Sequence, residues 1–241
     1  MSAIAKTILV MSVIASATSA HAAIALDRTR AIYPGDQKSI SLTITNENKS
    51  RPYLAQSWLE NAKGDKITTP FNVMPPLQRV EPGKKSQVRI SDVASSTLPQ
   101  DRESVYWLNV REVPPKSEKS NVIQVALQTR IKFFYRPAEI IPDRFSRWDD
   151  QLILRPVSGG YEIENPTPYY MTVVAITGGE KEVVDKSFRA VMIEPKSTMT
   201  VKSKSFATPY VTTINDFGGK PRIPFRCSDG ICKGFIPEKT Y

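Results

Sequence analysis

Apolar side chains in this chain recur every second residue, in runs that are short and repeatedly broken by proline. In Lys38-Ser39-Ile40-Ser41-Leu42-Thr43-Ile44-Thr45 the alternation is clean and stops at Asn46-Glu47-Asn48. Successive side chains of a strand face opposite ways, so this pattern predicts a strand with one buried face, closed by a turn. Similar runs cover residues 53–59, 77–80, 87–90, 105–113, 121–135, 152–155, 161–164, 169–176 and 210–214. Glu81-Pro82-Gly83 and Ser158-Gly159-Gly160 read as hairpin turns between flanking runs, and residues 61–65 and 215–219 as further turns. No segment carries a sustained helical stripe. Nineteen prolines against eleven glycines fit that reading, because proline removes a backbone donor and breaks helix interiors. Strands at this spacing, in two blocks of about 100 residues, predict an all-β protein of two sandwich domains. Pro137 and Pro142 bracket the break, which divides residues 23–141 from residues 142–241.

The first 22 residues read as an address rather than as structure. Lys6 is followed by Ile8-Leu9-Val10-Met11, then by small residues ending in Ala20-His21-Ala22. A positive start, a short apolar middle and an A-x-A site make a secretory signal peptide. The apolar stretch is shorter than the roughly 20 residues a spanning helix needs, and membrane insertion is not expected. Cleavage after Ala22 removes Lys6 and His21, the one histidine of the chain. The mature protein then carries 32 basic and 24 acidic residues, a charge of +8.

That loss narrows the chemistry. Without histidine there is no Ser-His-Asp or Cys-His catalysis and no His-ligated metal, and no Gly-Lys phosphate loop is present. Asp149-Asp150 is an acidic pair, but neighbours on a strand diverge. The expectation is a protein that is not an enzyme, with no metal and no cofactor. The cations are dispersed and the chain is exported, which argues against nucleic acid as a partner. Cys227 and Cys232 are the only cysteines. In an oxidising compartment they are expected to pair, closing a loop of about six residues worth roughly 2 kcal/mol by the chain-entropy relation.

Residues 121–132 pose a question. One face of this run carries Ile123, Val125, Leu127, Thr129 and Ile131, and the other Gln124, Ala126, Gln128, Arg130 and Lys132. One reading is an inner strand whose apolar face covers its own core. The other is an edge strand whose apolar residues are kept for a second chain, since exposed strand edges are templates for strand addition. Arg30 and Lys132, read singly, are ordinary solvated cations, and spacing alone does not bring them together.

Several stretches together resemble one family. They are Leu98-Pro99-Gln100-Asp101-Arg102-Glu103-Ser104-Val105-Tyr106-Trp107-Leu108-Asn109-Val110-Arg111-Glu112-Val113-Pro114, Leu26-Asp27-Arg28-Thr29-Arg30, Ile131-Lys132-Phe133-Phe134-Tyr135-Arg136-Pro137, Ile163-Glu164-Asn165-Pro166-Thr167-Pro168-Tyr169-Tyr170 and Ile214-Asn215-Asp216-Phe217-Gly218-Gly219. Over nearly the whole mature chain they are similar to the periplasmic pilus-assembly chaperones. The resemblance implies two immunoglobulin-like domains in a boomerang with a cleft between them. It implies that pilus subunits lacking a strand are the partners, that the chaperone lends its own strand without ATP, and that the outer-membrane usher receives the complex. Carried onto this chain, Arg30 and Lys132, assisted by Thr29, match the residues that hold the subunit's C-terminal carboxylate. Ile123, Val125 and Leu127 match the residues inserted into the subunit groove. Glu103, Arg136 and Asp216 match an interdomain ion-pair network, and Pro52 and Leu54 fall on the family's usher-facing surface. The short connection at residues 114–120 resembles that of the subclass serving rod-type pili. A free chain with such a strand has a second copy as an alternative occupant, a self-capping homodimer. Two rival classes are a structural pilus subunit and a surface-binding basic protein. The first would end on its assembly strand, whereas here the alternating run lies mid-chain.

Overall fold

The computed structural model describes residues 22–117, 121–143 and 146–236. The leader, except Ala22, lies outside the described residues, as do residues 118–120 of the connection after Pro114. Ten strands precede the Pro137 break: β1 (Ile24–Leu26), β2 (Arg30–Pro34), β3 (Ser39–Asn46), β4 (Tyr53–Glu60), β5 (Lys66–Ile67), β6 (Phe71–Met74), β7 (Leu77–Val80), β8 (Lys85–Asp92), β9 (Ser104–Val113) and β10 (Gln128–Arg136). Eight follow it: β11 (Ile153–Val157), β12 (Gly160–Asn165), β13 (Met171–Thr177), β14 (Val191–Ile193), β15 (Ser197–Lys202), β16 (Tyr210–Ile214), β17 (Arg222–Ser228) and β18 (Ile231–Gly234). Among the described residues the helical turns are short 3-10 turns at Ser95–Thr97, Ala138–Ile140 and Asp149–Gln151.

In the first domain one sheet has the order β1-β3-β8-β6, and the other β2-β10-β9-β4-β5 with β7 also on β4. The alternation read from the sequence decides what lies between them. Leu42 and Ile44 of β3 and Val88 and Ile90 of β8 face Leu59 of β4, Leu108 and Val110 of β9, and Ile131 and Phe133 of β10, all buried. Burial of such side chains contributes about 1.5–3 kcal/mol each. Phe71 anchors the centre, its ring 5.0 Å from that of Tyr33, 5.1 Å from Phe133 and 5.3 Å from Tyr135.

The second domain has its own core, built on Leu152, Leu154, Tyr161, Ile163, Val173, Val211 and Phe225. Its strands follow β14-β13-β16-β17-β18-β11-β12-β15. β17 serves both layers: Arg222, Ile223 and Pro224 pair with β16, and Phe225 to Ser228 pair with β18. Cys227 lies opposite Cys232 across that last ladder, and the two are disulfide-bonded.

Three local expectations change. Residues 77–80 and 87–90 do not form a hairpin. β7 pairs with β4 and β8 with β3 and β6, so Glu81-Pro82-Gly83 carries the chain from one sheet to the other. Asn46 fixes the crossing by donating from Nδ2 to the Val80 and Arg51 carbonyls at 3.0 and 2.9 Å. Residues 121–135 are not one strand: the ladder between β10 and β9 begins at Gln128 opposite Arg111. β9 ends two residues later, at Val113, before Pro114-Pro115, which have no N–H to continue a ladder. Strands such as β15 and β17 carry a charge or a proline within them and fall outside the runs read from the alternation.

Candidate functional site: a cationic cleft and a free strand edge

β2 and β10 run parallel, with Lys132 opposite Arg30 and Arg136 opposite Pro34. This pairing places two cations side by side at the point where β2 begins. Both side chains belong to the outer face of the sheet, because Ala31 and Tyr33, and Ile131 and Phe133, turn inward to the core. The outer face here meets the second domain. Arg30 Nη1 donates to the Ile214 carbonyl at 3.3 Å, and Lys132 Nζ donates to Thr172 Oγ1 at the same distance. These are long, neutral contacts that leave most of the positive charge unanswered. Arg30 Nε is buried without a hydrogen-bond partner. Burial lowers the Lys132 ammonium below the ordinary lysine value of 10.5, and the neighbouring Arg30 charge adds to the effect. Burial lowers Arg30 as well, opposed by the more distant Asp216 and Glu103 carboxylates. A pair of cations, partly desolvated and bonded only to neutral oxygens, is a site for an anion.

The domains are held around this corner by Arg136. Its Nε donates to Glu103 Oε1 at 2.8 Å and its Nη1 to Asp216 Oδ2 at 2.8 Å. The second Glu103 oxygen accepts from the Tyr170 amide at 2.8 Å. Glu103 and Arg136 are buried, whereas Asp216 is partly open. Burial pushes the Glu103 carboxyl up, while Arg136 and the Tyr170 amide pull it down. Arg136 also lies 4.8 Å from the Tyr169 ring and 5.3 Å from that of Trp148. Glu103 and Arg136 come from the first domain, Asp216, Tyr169 and Trp148 from the second, so the network spans the junction. Thr29 is exposed beside the same junction: a Cβ on Gly218 would stand 2.8 Å from its hydroxyl.

From this corner a strand edge runs free. β10 pairs with β9 from Gln128 to Tyr135, but with β2 only from Lys132 onward. Residues 128–131 therefore have a partner on one side. Residues 121–127 are in no ladder, and their tie to β9 is the Glu112 amide donating to the Leu127 carbonyl at 3.0 Å, with Leu127 N donating back to Glu112 Oε1 at 3.4 Å. Ile123 is 94% exposed, Val125 65% and Leu127 39%, whereas Ile131 on the same alternation is 7% exposed. Core and free edge thus divide one periodic run. Pro52 and Leu54 lie at the far end of this edge. Leu54 pairs with Val113, and Pro52 lines a cavity of about 620 Å³ together with Pro115, Val122 and Ile123.

Sequence reasoning missed Glu112, a buried carboxylate that also accepts from the Ile24 amide at 3.0 Å and so ties β1 to the root of the free segment. Asp149, weighed as half of an acidic pair, is bonded to Arg147 at 2.8 Å.

Comparison with known proteins assigns this architecture. The family model described as pili and flagellar-assembly chaperone, PapD N-terminal domain, matches residues 23–141, and that of the pili assembly chaperone PapD C-terminal domain matches residues 147–225. The chaperone protein PapD of Escherichia coli is 54% identical over 217 residues, covering 89% of this chain and 91% of its own. The chaperone protein PmfD of Proteus mirabilis is 40% identical over 220 residues, covering 88% and 87%. Among solved structures, the periplasmic chaperone SfaE superposes with a TM-score of 0.69 at 34% identity, covering 83% of this chain and 98% of that one. A chain of the Salmonella enterica complex between the SafA pilin and the SafB chaperone superposes with a TM-score of 0.71 at 27% identity, covering 87% and 99%. With both halves matched in order and more than half of the aligned residues identical to one relative, the chain belongs to the PapD family of pilus-assembly chaperones.

Proposed function

We propose that this protein is a periplasmic, ATP-independent chaperone that lends residues 121–131 to pilus subunits as a missing strand and grips their C-terminal carboxylate with Arg30 and Lys132. One observation carries the reading: a free edge bearing exposed, alternating apolar residues runs straight into two under-compensated cations. The geometry also supports one direction for the guest strand. A strand added to β10 N-terminal to Lys132 occupies the row that β2 takes up at Arg30. If it runs parallel to β10, its C-terminus meets Arg30. If it runs antiparallel, its carboxylate lies at the opposite end of the edge, away from both cations. Parallel addition is therefore favoured by charge.

The two parts do different work. A carboxylate is shared by every guest C-terminus, so gripping it fixes register without reading sequence, and a slip of one residue would put the wrong face inward. Arg supplies planar paired donors and Lys a compact charge. Ile123, Val125 and Leu127 then supply burial, about 1.5–3 kcal/mol each before ordering costs. No step requires bond-making chemistry, a metal or a cofactor, and we read the protein as a binding protein rather than an enzyme. Residues 1–22 serve as its export leader, and residues 23–141 and 142–241 as its two domains. Pro52 and Leu54 are assigned to the usher-facing surface, next to the end of the lent strand, and Thr29 to support of the anchor. In the absence of a guest, a second copy of the chain is the alternative cap for the edge.

The test is co-purification of a pilus subunit co-expressed in the periplasm. Ile123→Asp is expected to leave thermal unfolding unchanged and to lose at least tenfold in captured subunit. Ile131→Asp, four steps along the same alternation but inside the core, is expected to unfold the first domain. Equal capture by Ile123→Asp and wild type would remove the lent strand from the mechanism.

Proton linkage gives a second check. In the free protein the Lys132 ammonium is held below its ordinary value, so between that lowered value and 10.5 the folded state binds fewer protons than the unfolded chain. A guest carboxylate favours the charged form. Binding is expected to take up protons in this alkaline window and to weaken as pH rises through it. Calorimetry in buffers of different ionisation enthalpy reads the uptake, and buffer-independent heats would contradict it.

A further inference from the structure

Cations gather at the end of the first domain that lies away from the domain junction. Three connections meet there: β3 to β4, β7 to β8, and the chain leaving β9. The Gly83 amide donates to the Asn48 carbonyl and the Asn46 amide to the Lys84 carbonyl, each at 2.9 Å, which locks the first two connections side by side. Arg51 and Lys116 line one cavity of about 620 Å³, which brings in the third. This tip stands about 20 Å along β9 from the Arg30–Lys132 pair, since Val113 is at the tip beside Leu54 and Trp107 is opposite Lys132.

Residues 46–52, 79–85 and 114–117 carry six cations, Lys49, Arg51, Arg79, Lys84, Lys85 and Lys116, against two carboxylates, Glu47 and Glu81. Their net +4 is half of the +8 carried by the chain without its leader. Glu81 is taken by Arg79 at 2.6 Å. The other five cations are exposed, and among the described residues none of them forms an ion pair or a side-chain hydrogen bond. Crowded like charges repel one another, so folding alone gives no reason to collect them, and a negatively charged surface relieves the repulsion. Four of the six are lysines, compact hydrated charges on flexible stems. They suit a plane of many anionic headgroups, where each charge contributes without a fixed pairing geometry. Lys49, Lys84 and Lys85 have Asn48, Ser50, Pro82 and Gly83 around them in these loops, with no large apolar side chain to insert. We infer that this tip docks the protein peripherally on a bilayer surface that bears anionic phospholipid. Docking leaves the cation pair at the other end of the domain open, and it holds whether or not Arg30 and Lys132 grip a guest.

The test is co-sedimentation of the full mature chain with phosphatidylethanolamine vesicles, with and without phosphatidylglycerol. Wild type is expected to bind the anionic vesicles alone, and less as added salt shortens the screening length below about 8 Å. Each cation near such a surface contributes about fivefold in partition. The triple variant Lys49→Gln, Lys84→Gln, Lys85→Gln is therefore expected to lose about tenfold or more in vesicle binding, with unfolding and subunit capture as in wild type. The triple variant Lys181→Gln, Lys186→Gln, Lys202→Gln removes the same charge from exposed positions of the second domain and should bind nearly as wild type does. Equal sedimentation with both vesicle types, or none with the anionic ones at physiological salt, overturns the inference, and these arms need no variant. Equal losses in the two triple variants would reduce the effect to net charge and overturn it too. Wild type that binds a polyglutamate peptide but no vesicle would assign the tip to an acidic protein, which also overturns it.

Discussion

Arg30→Ala is expected to abolish subunit capture and to leave the fold intact. The side chain stands at the first position of β2 on the outer face, and the burial on that strand is carried by Ala31 and Tyr33. Its loss would leave the guest carboxylate in a partly desolvated corner with Lys132 alone. Removing one partner of such a charge pair costs roughly 2–5 kcal/mol, about thirtyfold to several thousandfold in Kd. Lys132→Ala should behave alike. The double variant should cost less than the sum, because both cations serve one carboxylate. Arg30→Lys should fall between, keeping the charge and losing the planar fork. Lys132→Met is expected to raise the melting temperature while capture is lost, since burial and Arg30 both disfavour the ammonium in the free protein. Peptide titration together with thermal unfolding measures both arms. A Kd within threefold of wild type for Arg30→Ala would refute the anchor.

Arg136→Ala is expected to give the largest loss of stability of any single change at the domain junction. It strands the buried Glu103 carboxylate, whose remaining donor is the Tyr170 amide, next to Asp216. Breaking a buried pair by deleting one partner costs about 3–5 kcal/mol. Asp216→Asn should cost far less, because Asp216 is partly solvated. Urea unfolding followed by tryptophan fluorescence reports on this directly, as Trp148 lies 5.3 Å from the Arg136 guanidinium. Loss of the network should also separate the unfolding of the two domains into distinct transitions. A change under about 1 kcal/mol in Arg136→Ala would show that the apolar part of the junction, not the ion network, holds the domains.

Much of this molecule was legible as a string. Alternation at 39–45, 53–59, 105–113 and 210–214 fell within strands β3, β4, β9 and β16, because side-chain direction along a strand is a local property. The disulfide followed from two cysteines in a chain whose first residues read as an export leader. The candidate site was legible only through the resemblance. Nothing local marks Arg30 and Lys132 as neighbours; the parallel pairing of β2 with β10 makes them so.

The chain itself determined the class of fold, its two blocks and the strand period, since these depend on residues close in sequence. Tertiary structure alone decided two things. It chose the partners of β7 and β8, which a turn sequence does not specify. It divided residues 123–131, identical in periodicity, into an exposed half and a buried half: the four-stranded sheet covers Ile131, and the ladder to β9 stops short of Ile123. The physical reason is common to both: whether a side chain is covered depends on what packs against it from afar, and period-two alternation carries no information about that.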